Sequence, residues 1–142
     1  MLINGINYRT VWMQDSSVYM INQLLLPFKF EIFQSKNHEE TANAIKTMIV
    51  RGAPAIGATG AYGLAQAALQ YQGENFNDFT KYIDESFNLL NSARPTANDL
   101  NYALNFVKSK MFVEESIANS KMKAFELARE YADWSAELCK KI

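Results

Sequence analysis

The stretch VRGAPAIGATGAYGLAQAALQY, residues 50–71, decides the fold. From residue 54 onward it is rich in alanine and glycine and has almost no polar face, which predicts a buried helix over residues 54–71. Each glycine inside a helix costs up to about 1 kcal/mol relative to alanine. The stretch nevertheless holds Gly57, Gly60 and Gly63, which indicates that neighbouring elements approach closely there. We therefore predict this helix at the centre of a bundle.

The first residues of the same stretch predict an anion-binding turn. Pro54 suits the first helical position, where a missing N–H costs nothing, and Gly52 allows a sharp turn and close approach by a ligand. Free N–H groups and a partial positive charge make a helix N-terminus favourable for anions. Arg51 adds a planar, charged fork suited to phosphate oxygens. The alternative is that Arg51 only neutralises the carbonyl end of the preceding helix.

Upstream of this stretch, residues 6–33 are expected to form a small antiparallel sheet with the course of a β-meander. Apolar runs begin at Tyr8 and at Val18, and the polar residues 14–17 between them suit a hairpin turn. A third run, residues 28–33, follows Pro27. The sequence does not fix the register of these strands.

Helical patterns occupy the remainder of the chain. Asn37 with Glu40 three residues later is a helix start, and that helix is expected to end near Arg51. Further apolar faces predict helices over about 79–90 and 100–111 and from about 114 onward, with a break where Pro95 disfavours helical geometry in the residue before it. Met48, Met111 and Met122 are expected to fill the core. The predicted fold is α+β and mostly α: a small antiparallel sheet followed by about five helices at 38–141, in one domain spanning residues 1–142.

Composition limits the classes of function. The 142 residues are 49% hydrophobic and 20% charged, as in a packed globular protein. Fourteen basic residues against fifteen acidic ones leave no electrostatic footprint for nucleic acid. No run approaches the ~20 apolar residues that cross a bilayer, and the N-terminus is not that of a signal peptide. We therefore expect a cytoplasmic protein with neither nucleic-acid nor membrane partners.

Two reactive side chains are assigned no catalytic role. His38 is the one histidine, and we expect it to be exposed in the first turn of a helix. Cys139, the one cysteine, is expected to be a structural thiol. The sequence contains neither metal-ligand spacing nor a dinucleotide-binding turn, so we predict no metal and no cofactor.

Two segments, residues 50–57 and residues 94–97, each contain an arginine at a predicted helix boundary, and both resemble motifs of a known family. We call them the arginine junctions. Residues 50–57 followed by Ala61-Tyr62-Gly63 closely resemble the sugar-phosphate-binding signature of methylthioribose-1-phosphate isomerases. Arg94-Pro95-Thr96-Ala97 with Leu100 resembles the second signature of that family's amino-terminal domain, and residues 24–27 and 44–48 also fit its pattern. The wider superfamily includes archaeal ribose-1,5-bisphosphate isomerases and the alpha, beta and delta regulatory subunits of initiation factor 2B.

The resemblance implies that this chain is an amino-terminal domain. In the family a larger Rossmann-like domain follows it, the active site lies between the two, and members are usually dimers. The family's substrate-binding positions in this domain fall on Arg51, Gly52, Ala53 and Arg94. Its catalytic cysteine and aspartate belong to the second domain, which this chain does not include, and Cys139 falls in the final helix ahead of that domain. One departure is Asp99, because Asn98-Asp99-Leu100 stands where the family commonly has Val-Asn-Leu.

The implied function is substrate binding for an aldose–ketose isomerase in methionine salvage. The intact enzyme would convert 5-methylthioribose 1-phosphate to 5-methylthioribulose 1-phosphate, and this domain alone would be inactive. The alternatives are a non-catalytic regulatory subunit of the initiation factor 2B type and a ribose-1,5-bisphosphate isomerase. Tyr131 and Trp134 suit either the core or an interdomain contact.

Overall fold

The computed structural model describes residues 2–3, 6–7, 9–26 and 28–140, with side chains over 9–26 and 28–137. Within these residues, five short strands precede five helices, so the fold is α+β and mostly α, as predicted. Tyr8 and Pro27, which the β prediction included, lie outside the described residues. Strands β1 (Leu2–Ile3) and β2 (Ile6–Asn7) form a two-stranded antiparallel ribbon.

The main sheet contains three antiparallel strands in the order β3 (Val11–Gln14), β4 (Ser17–Ile21) and β5 (Ile32–Ser35). The predicted hairpin turn between β3 and β4 is confirmed, with Asp15 in the left-handed region at φ 58°. The third strand begins later than predicted, at Ile32 and not at residue 28. The reason is a turn before it, in which the Lys29 N–H donates to the Leu25 carbonyl at 2.9 Å.

The helices run close to their predicted positions. They are α1 (His38–Lys46), α2 (Ala53–Gln70), α3 (Phe76–Ser92), α4 (Asn98–Met111) and α5 (Ile117–Lys140). The last begins three residues after the predicted start, because Glu114 and Glu115 take positive φ values of 52° and 51°. Among the three methionines predicted to be buried, Met111 is at 0% exposure, whereas Met48 and Met122 are exposed.

Helix α1 has the predicted start and an unpredicted end. The Asn37 side chain accepts from the Glu40 N–H at 2.9 Å, which confirms the cap. The helix ends at Lys46 rather than near Arg51, since Met48 turns to φ 66°. The N–H groups of Met48 and Ile49 then donate back to Ile45 and Ala44 at 3.2 and 3.0 Å. This is the Schellman pattern, which glycine usually supports.

Helix α2 lies at the centre of the bundle, as predicted, with every residue from Ile56 to Ala68 buried. Its glycines mark close approaches of other helices. A β-carbon at Gly60 would overlap Leu100 Cδ1, and one at Gly63 would lie 2.9 Å from Leu90 Cδ2. The packing of α3 and α4 against α2 thus compensates for the helix propensity that glycine lacks.

A buried polar network joins the sheet to the helices. Gln66, fully buried on α2, donates through Nε2 to the carbonyls of Ser16 and Ser35, both at 3.0 Å. Its Oε1 accepts from the Thr41 hydroxyl of α1 at 2.7 Å. This single side chain connects the β3–β4 turn, the end of β5 and α1, and so fixes the sheet against the bundle.

Candidate anion-binding junction and the cleft beside it

The N-terminus of α2 has the features of the predicted anion-binding turn. Gly52 is the residue before the helix and has φ 90°, a conformation that L side chains rarely adopt. The first backbone bond runs from the Ile56 N–H to the Gly52 carbonyl at 2.9 Å. Within the described part of the chain, no backbone acceptor takes the N–H of Ala53 or Ala55. Since Arg51, Gly52 and Ala53 are exposed, an anion can reach these donors.

Arg51 is held at this junction by the loop that follows β4. Its Nη2 donates to the Gln23 carbonyl at 3.1 Å, and the Gln23 N–H donates to the Ile49 carbonyl at 2.8 Å. A guanidinium has five N–H donors, so this single bond orients Arg51 and leaves most of its donors for a ligand. The neighbour that the structure shows is a carbonyl of the β4–β5 loop, not the carbonyl end of α1.

Arg94 lies in the loop between α3 and α4, where the predicted break occurs. Its carbonyl accepts from the Ala97 N–H at 2.9 Å, which closes a turn just before α4 begins. The residue is partly buried. Its guanidinium has no hydrogen bond or ion pair with any residue that the structure describes. Arg94 is therefore a second cation close to a helix start, and unlike Arg51 its guanidinium has no partner among the described residues.

The packing of α4 on α2 places the two junctions at one end of the bundle. A β-carbon at Gly57 would lie 3.1 Å from the Asp99 carbonyl, and one at Gly60 would lie 3.7 Å from Leu104, further along α4. The contacts therefore advance along both helices together, and the start of α4 lies beside the second turn of α2. Their positive ends add at that location. The structure thus brings Arg51, Gly52 and Ala53 to the same end of the bundle as Arg94.

A cleft of about 550 Å³ opens beside these helix starts. Residues of α2, α4 and α5 line it: Pro54, Asn98, Asp99, Asn101, Tyr102, Asn105, Tyr131, Trp134 and Ser135. None of the four predicted binding residues lines it. Sequence reasoning did not identify this cleft, because its walls come from helices that are distant along the chain.

Tyr131 forms the floor of the cleft. Its side chain is 4% exposed, and its hydroxyl would lie 2.8 Å from a β-carbon at Gly57. Burial, followed by the negative charge of Asp99 and by Tyr102, raises the pKa of Tyr131 to about 12. The phenol therefore remains neutral at physiological pH. Trp134, by contrast, is 51% exposed, so only Tyr131 of this pair is a core residue.

The prediction that His38 is exposed is wrong. The imidazole is 8% exposed, because α3 covers the first turn of α1. Its Nε2 lies 3.4 Å from Ser86 Oγ, and its ring meets Tyr82 edge to face at 5.8 Å. Burial lowers the pKa of His38, and Glu39 opposes this effect. The histidine is therefore a core residue packed between α1 and α3.

Three further predictions concern Cys139, metal binding and membrane-spanning helices. Cys139 lies in α5, as expected, and its side chain is outside the described part. Among the described residues, no three His, Cys, Asp or Glu side chains could together hold a metal ion. A search of those same residues found no helix long and apolar enough to span a membrane.

Comparison with known proteins places the chain in a family. The profile described as the Initiation factor 2 subunit family matches residues 49–142, about two thirds of the chain. The chain belongs to the initiation factor 2 subunit family. The matched range includes both arginine junctions and helices α2 to α5.

Curated relatives of this family member are named as isomerases. It is 41% identical over 96 residues to a methylthioribose-1-phosphate isomerase of Caldanaerobacter subterraneus, covering 68% of this chain and 28% of the relative. It is 39% identical over 125 residues to a 5-deoxyribose 1-phosphate isomerase of Clostridium botulinum, covering 87% of this chain and 36% of the relative. The chain thus spans about a third of the length of these relatives.

Two solved structures share its fold. The 5-methylthioribose 1-phosphate isomerase of Pyrococcus horikoshii superposes with a TM-score of 0.84 at 38% identity, over 88% of this chain and 36% of that one. The delta subunit of translation initiation factor eIF-2B from A. fulgidus also has a TM-score of 0.84, at 33% identity, over 89% and 37%. Equal superposition on an isomerase and on a chain named as a translation factor shows that the fold alone does not choose between these functions.

Proposed function

We propose that this chain is the amino-terminal, substrate-binding domain of an aldose–ketose isomerase that converts 5-methylthioribose 1-phosphate to 5-methylthioribulose 1-phosphate in methionine salvage. The observation that carries the proposal is the junction at Arg51, Gly52 and Ala53. There Gly52 has a φ of 90°, and the N-terminus of the otherwise buried helix α2 is exposed to solvent. Two relatives named for this activity support the choice of substrate.

In this proposal the chain binds and orients the sugar phosphate. Arg51 and the N–H groups of the α2 first turn would contact phosphate oxygens, and Arg94 would supply a second cation from the start of α4. The reaction opens the ring and moves hydrogen between C1 and C2, with no net change in atoms. The acid–base groups, a cysteine and an aspartate, would come from a Rossmann-like catalytic domain, so this chain alone would be inactive. We expect the intact enzyme to be a cytoplasmic homodimer.

The identity of the substituent at C5 is a separate question. Methylthioribose 1-phosphate, 5-deoxyribose 1-phosphate and ribose 1,5-bisphosphate share the pentose 1-phosphate end and differ at the other end. The proposed contacts of Arg51 and Arg94 are to the shared phosphate. They therefore support a pentose 1-phosphate substrate but do not distinguish these three compounds.

A regulatory subunit of the initiation factor 2B type is the second candidate. The observation that favours it is the superposition on the A. fulgidus chain, which equals that on the isomerase. A chain that acts only through protein contacts does not need two arginines, each with guanidinium N–H groups left for a ligand, at neighbouring helix starts. We therefore rank the enzyme first.

The test is an NMR-monitored isomerisation assay on the full gene product, with the three pentose 1-phosphates in parallel. Arg51→Ala and Arg94→Ala are compared with Arg129→Ala, because Arg129 lies on the exposed side of α5 above the Phe125 ring. Loss of one charge-assisted contact, about 1.5–3 kcal/mol, predicts a fall in kcat/KM of roughly 10- to 150-fold for the first two variants. The Arg129 variant should match the wild type. Absence of turnover with all three substrates, from folded protein, would favour the regulatory candidate.

A further inference from the structure

The orientation of the Arg51 side chain depends on one backbone carbonyl in the loop after β4. Arg51 Nη2 donates to the Gln23 carbonyl at 3.1 Å. Among the residues that the structure describes, no carboxylate and no other acceptor pairs with this guanidinium. Arg51 is exposed, and an exposed arginine without a partner samples many rotamers. The direction of the Gln23 carbonyl therefore decides where the remaining guanidinium donors point.

The Asn22 side chain holds the peptide that carries this carbonyl. The peptide joins Gln23 to Leu24, and its N–H donates to Asn22 Oδ1 at 3.1 Å. Such a bond, from an asparagine to the backbone two residues on, is an Asx turn. A peptide group is planar and almost always trans, so its N–H and its C=O point in opposite directions. Because Asn22 fixes the N–H, it also fixes the direction of the carbonyl that contacts Arg51.

Asn22 can act in this way because its own backbone is anchored to the sheet. Its N–H donates to the Glu31 carbonyl at 2.8 Å, and the N–H of the next residue, Gln23, donates to the Ile49 carbonyl at 2.8 Å. Asn22 is partly buried, whereas Leu24 is 51% exposed. The Asx turn thus extends the fixed part of the chain by one peptide, into the exposed loop. That peptide is the one on which the Arg51 side chain depends.

We propose that Asn22 is a positioning residue for phosphate binding and acts through Arg51. By holding the Leu24 N–H, it directs the Gln23 carbonyl at the guanidinium, which keeps the free donors of Arg51 ready for phosphate oxygens. This rests on the proposed function, in which Arg51 binds the phosphate of a pentose 1-phosphate. A side chain that is oriented before the ligand arrives loses less conformational entropy on binding. The benefit is the same in the ground state and in the transition state, so it affects KM and not kcat.

Steady-state kinetics of the full gene product, with the pentose 1-phosphate that it turns over, test the effect on binding. Asn22→Ala should raise KM about 3- to 10-fold and leave kcat within about twofold, because ordering one long side chain becomes a cost of binding. Asn22→Asp keeps the acceptor and should restore KM to within about twofold of the wild type, and Asn22→Ser, a weaker and neutral acceptor, should fall between them. Lys29→Ala is the control in the same loop: it removes only an exposed ion pair with Glu31 at 3.4 Å and should leave KM unchanged.

A double-mutant cycle separates positioning from a merely structural role. If Asn22 acts through Arg51, Asn22→Ala has no further effect on KM once Arg51 is already alanine. A variant that only loosens the loop would instead raise KM by the same factor in both backgrounds.

NMR of the Arg51 side chain provides a readout that needs no turnover. The full gene product is labelled with ¹⁵N-arginine, and the Arg51 Nε signal is identified by its loss in Arg51→Lys. The heteronuclear NOE of that signal should be high in the wild type and in Asn22→Asp. In Asn22→Ala it should fall to the value of Arg129, an exposed arginine on α5.

Several outcomes would overturn the proposal. They are an unchanged Arg51 NOE in Asn22→Ala, an unchanged KM in that variant, an Asn22→Asp variant as impaired as Asn22→Ala, and equal effects of Asn22→Ala in the two backgrounds. A folded protein that turns over no pentose 1-phosphate would refute the proposed function, and the NOE alone would then decide whether Asn22 orients Arg51. An active protein with an unchanged NOE would refute only the role of Asn22.

Discussion

Replacement of Gln66 by methionine should destabilise the chain more than any comparable change on α2. Methionine has nearly the same length and fills irregular space well, so the substitution removes hydrogen bonds without opening a large cavity. Gln66 is at 0% exposure, and no water can replace its amide. The sheet and the bundle meet at this side chain, which makes it a direct test of how the two parts are joined.

The magnitude follows from the three bonds that Gln66 makes. Two go to the Ser16 and Ser35 carbonyls at 3.0 Å, and one comes from the Thr41 hydroxyl at 2.7 Å. At a net value of about 1 kcal/mol each, the loss is about 3 kcal/mol. The Ser16 carbonyl keeps a second donor, Gln70 Nε2 at 3.1 Å, which lowers the expected loss to about 2–3 kcal/mol. That is a large share of the 5–15 kcal/mol typical of a domain.

Urea unfolding followed by far-UV circular dichroism measures the effect. Gln70→Met is the matched control: the same change, one turn later on α2, at a residue that is only partly buried. Water can replace its bonds to Ser16 and Lys36, so the expected loss there is below about 1 kcal/mol. Equal unfolding midpoints for the two variants would refute the reasoning that Gln66 joins the sheet to the bundle.

Three further predictions concern stability and pH. Met48→Gly should raise the free energy of unfolding by about 0.5–1 kcal/mol, since glycine removes the strain of φ 66°; thermal unfolding checks this, and a lower midpoint contradicts it. Gly60→Ala should lower the free energy of unfolding despite better helix propensity, by about 1 kcal/mol or more, because Leu100 occupies the space of the new methyl group; a stabilised variant, again by urea unfolding, would show that Leu100 can move. Burial lowers the pKa of His38 below its ordinary 6.5, so the unfolded chain binds the imidazole proton more readily than the folded chain does. The contribution of His38 to the free energy of unfolding is therefore complete above about pH 6.5 and is lost as the pH falls toward the lower pKa of the folded state. In urea unfolding at pH 7.5 and 5.5, His38→Gln should lose less stability between the two pH values than the wild type.

Much of the fold could be predicted because its signals are local. The cap at Asn37, the break before Pro95 and the apolar periodicity of α4 depend on residues within one or two turns. The central position of α2 was also predictable, since three glycines and an apolar circumference fit no exposed helix. The end of α1 was not, because Met48 carries no sequence signal for the left-handed conformation that ends it. The start of β5 was displaced by a turn whose backbone bond involves no distinctive side chain.

The same distinction between local signals and tertiary packing applies to the candidate site. The sequence by itself determined the junction at Arg51, Gly52 and Ala53, because a turn into a helix N-terminus is made by consecutive residues. Only the tertiary structure decided that α2 and α4 run side by side and bring Arg94 to the same end. It also decided that α3 buries His38 and that α4 and α5 enclose a cleft with Tyr131 at its floor. Burial and proximity depend on which distant element covers a residue, and a period along one helix does not contain that information.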